Sequence, residues 1–303
     1  MFFRNLTLFV FPAALDLSEL ATRLAEFPLK PVGPLELASA GFVSPHSRDA
    51  EALAPECDGA LWITLGGEEK ILPGPAVNAE LARRIEAFER TQGRRPGGKQ
   101  RKQMKDDLLQ ELLPRAMVKP TRIDALIDTR LGVVAVNTAS RKAAEHVVSA
   151  VRTARGSFPV LPLNAEVSPR GVLTGWVAVE PLPDGVTLGE ACVLKDPSDH
   201  GATVRCTDQD LRSDEITRHL EAGKQVTRLA LNVDDHVSFE LGEDLVLRKF
   251  RLLDGALDSL EKGDADDSED MRRELDARFA LMSGELRRVF AVLKAALKLS
   301  EVE

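Results

Sequence analysis

Hydrophobic and polar positions along the chain follow strand-like alternation in some blocks and helix-like spacing in others. In the first half, alternation predicts strands at 3–11, 60–65, 70–72, 123–128 and 133–137. Apolar residues at helical spacing predict helices at 78–92, 99–113 and 141–155. The pair Gly66-Gly67 stands between two of these strands and is typical of a hairpin turn.

The second half continues with strands, a short helix and a long helix at the end. Its strands are predicted at 172–179, 191–195, 203–206, 226–233, 237–241 and 245–252. Ser213 and Gly223 mark the two ends of a helix, and residues 271–299 place apolar side chains on one helical face. Because strands and helices come in blocks, the pattern predicts an α+β fold with antiparallel sheets.

The predicted elements divide the chain into three parts. Residues 1–75 together with 116–158 are expected to form an N-terminal α+β domain, into which a helical finger, 76–115, is inserted. Residues 159–303 are expected to form a C-terminal α+β domain that ends in the long helix. No stretch approaches about 18 consecutive apolar residues, so the sequence predicts no membrane-spanning helix.

Charge is distributed unevenly along the 303 residues, whose formal net charge is −8. Residues 83–122 contain twelve basic and five acidic residues, a net charge of +7, so the rest of the chain carries −15. Such sorting suggests a surface that binds a polyanion, although the same pattern is typical of a solvated helical hairpin.

Two other functional classes remain open on the residues alone. Asp58, Glu68 and Lys70 match the carboxylate and lysine pattern of two-strand nucleases, in which the carboxylates hold Mg²⁺ and the lysine polarises water. The stretch 254–276 carries ten acidic and three basic residues and is typical of a protein-binding adaptor or of an exposed acidic loop. The three cysteines are far apart in sequence and indicate neither a disulfide framework nor a zinc site.

Seven blocks in a single order, spanning nearly the whole chain, resemble the RdgC family of recombination-associated DNA-binding proteins. The blocks are Glu68-Glu69-Lys70-Ile71-Leu72-Pro73 with Pro75, Leu112-Leu113-Pro114-Arg115-Ala116, Ile127-Asp128-Thr129, Ser140-x-Lys142-Ala143-Ala144-Glu145, Gln209-Asp210-Leu211, Glu221-Ala222-Gly223-Lys224 and Phe279-x-Leu281-Met282-x-Gly284-Glu285-Leu286. The specificity lies in the set, because no single block is a catalytic signature.

The resemblance implies an α+β homodimer that closes into a ring around double-stranded DNA, without sequence preference, catalysis or cofactor. It implies a cytoplasmic, nucleoid-associated protein that restrains the recombinase RecA by occupying DNA. Single-stranded DNA is expected to bind more weakly, because the basic segment lacks interleaved aromatic residues on which bases could stack.

Lysine and arginine contacts with phosphate provide affinity that does not depend on base sequence. The expected fingertip cations are Arg94, Arg95, Lys99, Arg101, Lys102 and Lys105. The expected wall cations are Arg115, Lys119, Arg122 and Lys224. Gln209 is a further expected DNA contact, although Asp208 stands beside it where the family has a base. Met117 occupies the place of a family aromatic and is expected at one dimer contact, with hairpin 226–241 at the other.

Overall fold

The computed structural model describes residues 3–46, 52–198, 201–257, 268–300 and 302, and only the backbone of 268–271. The strands in this part of the chain are β1 Leu6–Val10, β2 Ala38–Val43, β3 Glu56–Cys57, β4 Ala60–Ile71, β5 Met117–Asp128, β6 Val133–Asn137, β7 Leu161–Pro162, β8 Val186–Lys195, β9 Thr203–Cys206, β10 Gln225–Val233, β11 Val237–Gly242 and β12 Leu247–Leu252.

The helices in the same part are α1 Leu20–Ala25, α2 Gly74–Gln92, α3 Gly98–Leu112, α4 Arg141–Arg155, α5 Pro169–Ala178, α6 Asp214–Glu221, α7 Asp254–Leu257 and α8 Ser268–Leu297, with a 3₁₀ turn at Leu113–Arg115. None of these helices is both long and apolar enough to cross a membrane.

Two compact units make up the chain. The larger unit comprises Met1–Glu26, Ser44–Thr64 and Ile123–Glu303, and the smaller unit comprises Phe27–Val43 and Leu65–Arg122. Strands β4 and β5 each contribute residues to both units. The three-part division of the chain into N-terminal domain, finger and C-terminal domain stays a prediction.

An antiparallel sheet forms the framework of the larger unit. Its strand order is β5-β6-β1-β12-β11-β10-β8-β9, and each neighbouring pair in this order is antiparallel. All five residues of β1 are buried, because this strand lies between β6 and β12 in the middle of the sheet. The predicted α+β class with antiparallel sheets is therefore confirmed, while the ring-shaped homodimer stays a prediction.

One hydrophobic core packs against this sheet. Helix α5 contributes Leu173 and Trp176. Helix α8 contributes a stripe at intervals of three and four residues, which consists of Phe279, Met282, Leu286, Val289, Leu293 and Leu297. Such intervals keep side chains on one face of a helix, and the predicted apolar face of the long terminal helix is confirmed.

The strand predicted at 172–179 is wrong, since these residues belong to helix α5. Ser168 caps this helix, because its Oγ accepts a hydrogen bond from the backbone N–H of Gly171 at 3.3 Å, and Pro169 occupies the first helical position. A short apolar run fits both the two-residue period of a strand and the 3.6-residue period of a helix. The Ser168-Pro169 start was the signal that favoured a helix.

The turn predicted at Gly66-Gly67 is also wrong, because β4 continues through both glycines. A Cβ atom at Gly66 would lie 3.0 Å from side-chain atoms of Leu29 and Val43. A Cβ atom at Gly67 would lie 2.6 Å from Oγ1 of Thr121. Both glycines therefore serve close packing around a strand in the smaller unit rather than a change of direction.

A buried carboxylate, Asp128, lies at the end of β5 in the larger unit. Its Oδ1 accepts hydrogen bonds from the backbone N–H groups of Arg130 and Leu131, each at 2.9 Å. Its Oδ2 accepts one from Nε of Arg287 at 2.6 Å. Nη1 of Arg287 lies 2.5 Å from Oδ2 of Asp58, and this hydrogen bond lowers the pKa of Asp58. Arg287 thus joins helix α8 to Asp58, two residues before β4, and to the last residue of β5.

We expect Arg287→Ala to lower the free energy of unfolding by about 3 kcal/mol, because the buried Asp128 carboxylate would lose its cation. Urea titration followed by circular dichroism measures this loss. Lys142→Ala is the control, since it removes an exposed cation and is expected to change stability by about 0.5 kcal/mol or less. Equal losses in the two variants would contradict the importance of the Arg287 contact.

Candidate nucleic-acid interface

The basic segment of the smaller unit forms a hairpin of the two helices α2 and α3. Helix α2 ends at Gly93, whose φ of 64° lies in the left-handed region that suits glycine. Helix α3 begins after Gly97, whose backbone N–H donates to Oε1 of Gln100 at 3.3 Å. Both predicted helices are confirmed, and a short turn containing the buried Pro96 joins them.

Few side chains hold the two helices of this hairpin together. Val77 is the buried residue of α2, and Leu108 is the buried residue of α3. Nη2 of Arg84 lies 2.6 Å from Oε2 of Glu111, and this hydrogen bond lowers the pKa of Glu111. With so little of its surface buried, the hairpin leaves most of its charged side chains in solvent.

The fingertip cations lie on the turn of this hairpin and on α3, and all of them are exposed. Arg95 contacts Glu89 with 3.2 Å between Nε and Oε1, and the guanidinium of Arg94 lies 5.9 Å from the centre of the Phe88 ring. The side chains of the four fingertip cations of α3 make no hydrogen bond or ion pair with any described residue. They are therefore available to an external anion.

Three wall cations lie in the 3₁₀ turn and the outer half of β5, where residues 117–122 are all exposed. Strand alternation places Met117 and Lys119 on one side of β5, and Val118 and Arg122 on the other. Arg115 precedes the strand in the 3₁₀ turn and is also exposed. Met117 is 77% exposed, more than any other large hydrophobic residue of the smaller unit among those described.

Gln209 and the fourth wall cation, Lys224, lie in the larger unit. Nε2 of Gln209 donates to Oε2 of Glu215 at 2.8 Å, so the amide is held by an acidic residue. Hydrogen bonds from Ser198, and then the charge of Lys224, lower the pKa of Asp196. Both residues therefore interact with an acidic side chain, whereas the side chains of the α3 cations form no ion pair with a described residue.

Four basic residues that were not expected from the sequence surround two adjoining hollows on the sheet of the larger unit. They are Arg205, Arg228, Lys249 and Arg251. The hollows measure about 560 and 300 Å³ and share Glu240, which lies 3.7 Å from Arg228 and 2.5 Å from Lys249. Lys249 and Arg251 are two residues apart in β12, so the sequence alone indicates that they share one face of the strand. Arg205 and Arg228 belong to β9 and β10, and no local pattern connects them with β12.

Comparisons with known proteins place the chain in a family. A family model described as "Putative exonuclease, RdgC" matches residues 1–300. The chain belongs to the RdgC family. Relatives from Xanthomonas campestris pv. campestris (strain B100), Xanthomonas axonopodis pv. citri (strain 306) and Stenotrophomonas maltophilia (strain R551-3) are 60%, 59% and 56% identical, each over the full length of both chains. Each of these relatives is named "Recombination-associated protein RdgC".

The family description directs attention to the nuclease pattern of Asp58, Glu68 and Lys70. That pattern requires a hairpin to bring the first two side chains opposite each other, but residues 60–71 are one strand. Asp58 is instead held by Arg287. Among the described residues of this RdgC family member, no group of three His, Cys, Asp or Glu side chains is placed to hold a metal ion.

The other two residues of the pattern hold a loop of the smaller unit. Oε2 of Glu68 accepts a hydrogen bond from the backbone N–H of Val32 at 2.8 Å. Nζ of Lys70 donates to the carbonyl oxygens of Gly33 and Pro34 at 2.7 and 2.5 Å, and this lysine is buried. In this chain, Glu68 and Lys70 therefore have a structural role.

The acidic stretch 254–276, which suggested a protein-binding adaptor, lies partly outside the described residues, since 258–267 are not among them. Within its described part, Asp254 begins helix α7. Oδ1 of Asp276 lies 2.7 Å from Nε2 of His46, whose side chain is 4% exposed, so this acid is committed to a contact inside the larger unit.

We expect Lys70→Met to lower the free energy of unfolding by about 2 kcal/mol, because two backbone carbonyls would lose a charge-assisted donor. Lys30→Met is the matched control, since Lys30 is exposed. Urea titration of both variants measures the difference. A Lys70 variant as stable as the control would show that the buried ammonium is not needed for the loop, and would reopen the catalytic interpretation.

Proposed function

We propose that this chain binds double-stranded DNA without sequence preference, closes around it as a homodimeric ring, and restrains RecA-dependent recombination by occupying the duplex. The observation that carries the proposal is the set of fingertip cations, exposed on a chain whose remaining residues are net acidic. Membership of a family whose relatives are named for recombination supports the same function.

Contacts with phosphate account for the lack of sequence preference. Lysine and arginine that neutralise phosphates release condensed counterions, and the gain does not depend on the bases. Phe88 is the aromatic residue near the fingertip, and its ring already faces Arg94. The fingertip therefore offers bases little aromatic surface on which to stack, and we expect double-stranded DNA to bind more tightly than single-stranded DNA.

Ring closure by two subunits needs two different contacts, each self-complementary across the one dyad that relates the subunits. Several exposed apolar residues of the smaller unit lie at or near the end of a strand. They are Leu35, Leu37, Ile71, Met117 and Val118. The backbone N–H of Lys70 donates to the carbonyl oxygen of Leu37, so Leu37 and Ile71 lie on adjoining segments. We assign one contact to the Met117 region and the other to hairpin 226–241.

In the proposed mechanism, the protein acts by occupying DNA rather than by catalysing a reaction on it. A ring on the duplex would keep RecA from that DNA, and acidic residues elsewhere would keep DNA on the basic surface. We therefore expect the protein to be found in the cytoplasm, at the nucleoid. The Mg²⁺-dependent nuclease built on Asp58, Glu68 and Lys70 is the alternative, favoured by the family description as an exonuclease. The contacts of Glu68 and Lys70 with backbone groups argue against it.

We expect replacement of all six fingertip cations by Ala to weaken binding about equally for two unrelated duplexes, because phosphates carry no base identity. If about four to eight of these side chains per dimer contact phosphate, the slope of log affinity against log salt should flatten by about 4–7 units. A salt titration of binding to both duplexes measures this slope.

The matched control removes six exposed cations of the larger unit that have no assigned DNA contact. They are Arg4, Arg141, Lys142, Arg212, Arg218 and Lys298. We expect this control to leave the slope much closer to that of the unaltered chain. A fingertip variant with an unchanged slope would refute the proposed interface, and a loss confined to one duplex would mean that the segment reads bases.

We expect Met117→Asp to open one of the two dimer contacts, because a charge would have to be buried between apolar surfaces. The protein should remain dimeric at micromolar concentration but dissociate faster from closed circular DNA. Val179→Asp is the control, since Val179 is exposed and lies outside both assigned contacts. Retention times on the circle that are equal for the two variants would place the contact elsewhere.

A further inference from the structure

Two cysteines lie directly opposite each other on neighbouring strands of the larger unit. Cys192 of β8 pairs in register with Cys206 of the antiparallel strand β9. Residues that face each other in this way have Cβ atoms about 4.5–5.5 Å apart. A disulfide needs Cα atoms about 4.4–6.8 Å apart and Cβ atoms about 3.5–4.5 Å apart, so the two sulfurs can be joined with little movement of the backbone.

The pair is accessible from one side of the sheet. Strand β9 is the last strand in the order, and Cys206 is only partly buried, whereas Cys192 is buried. Both cysteines line the hollow of about 300 Å³, together with Arg205 and Arg228. A small oxidant can therefore reach Cys206.

We propose that Cys192 and Cys206 are a redox modification site at which a hydroperoxide converts the two thiols into a reversible intramolecular disulfide. The Cys206 thiolate attacks one peroxide oxygen, the O–O bond breaks, and hydroxide or alkoxide leaves, so that Cys206 becomes a sulfenic acid. Cys192 then displaces the sulfenic oxygen, which leaves as water after taking up the Cys192 proton. Both sulfurs are oxidised, and the peroxide is reduced.

The two cysteines have different roles because their surroundings differ. Burial, and then the neighbouring Cys206 sulfur, raises the pKa of Cys192 to about 12, so this residue remains a thiol and is a poor first nucleophile. It is nevertheless placed to resolve a sulfenic acid on its neighbour. The resulting bridge would fix the edge strand β9 to β8, three residues before Gln209.

The test uses the full chain with Cys57→Ser, which leaves only the proposed pair. After exposure to hydrogen peroxide and removal of the excess, we expect free thiols counted in denaturant to fall from two to none. Tryptic digestion should yield peptide 171–195 linked to peptide 206–212, lighter by two hydrogen atoms than their sum and separated by dithiothreitol. The unaltered chain should fall from three free thiols to one.

The control adds Cys206→Ser to Cys57→Ser, and we expect its single remaining thiol to survive the same exposure because its attacking partner is gone. Several results would overturn the proposal. They are persistence of both thiols under conditions that oxidise dithiothreitol, a bridge found only between chains on a non-reducing gel, and conversion of Cys206 to a sulfinic acid while Cys192 stays reduced.

Discussion

The smaller unit depends on the absence of side chains at Gly66 and Gly67. Because neither residue has a Cβ atom, β4 can run straight past Leu29, Val43 and Thr121 instead of turning back. The strand therefore extends to Ile71, and α2 begins directly after it at Gly74. The hairpin of α2 and α3, which carries the fingertip cations, therefore follows the extended end of β4 directly in the chain.

The distribution of charge decides what that hairpin can do. The side chains of the α3 cations form no ion pair with described residues, so ion pairing within the described part of the chain does not account for their presence. Their number and exposure suit a ligand with many negative charges in a row. By contrast, the cations around the sheet hollows are partly neutralised by Glu240, and Gln209 is held by Glu215. We therefore propose that the smaller unit provides the strongest attraction for DNA.

Much of the fold could be predicted because local signals agreed with the final packing. Ser140 and Gly156 bound α4 as their cap positions require, and Asp234-Asp235 turn between β10 and β11 with positive φ. The failures came where one local pattern has two meanings. Gly-Gly indicates either a turn or close packing, and the apolar run in α5 fits a strand or a buried helix.

Part of the candidate site could also be predicted, because some of its residues lie close together in the sequence. The fingertip cations all lie within residues 94–105, so the sequence alone predicts that a single hairpin carries them. Arg205 and Arg228 meet around one hollow only after β9 and β10 have taken their places in the sheet, which no local pattern encodes. Likewise, the sequence could not show that the amine of Lys70 is used by the backbone of a loop.

Incubation with an end-labelled linear duplex and a supercoiled plasmid, in excess Mg²⁺ and at increasing salt, tests the central claim most directly. A binder that acts by occupying DNA should retard both molecules at low salt, release them as salt rises, and leave the label and the supercoils intact. Progressive shortening of the linear duplex, nicking of the plasmid, or no salt-sensitive binding of either would contradict the account.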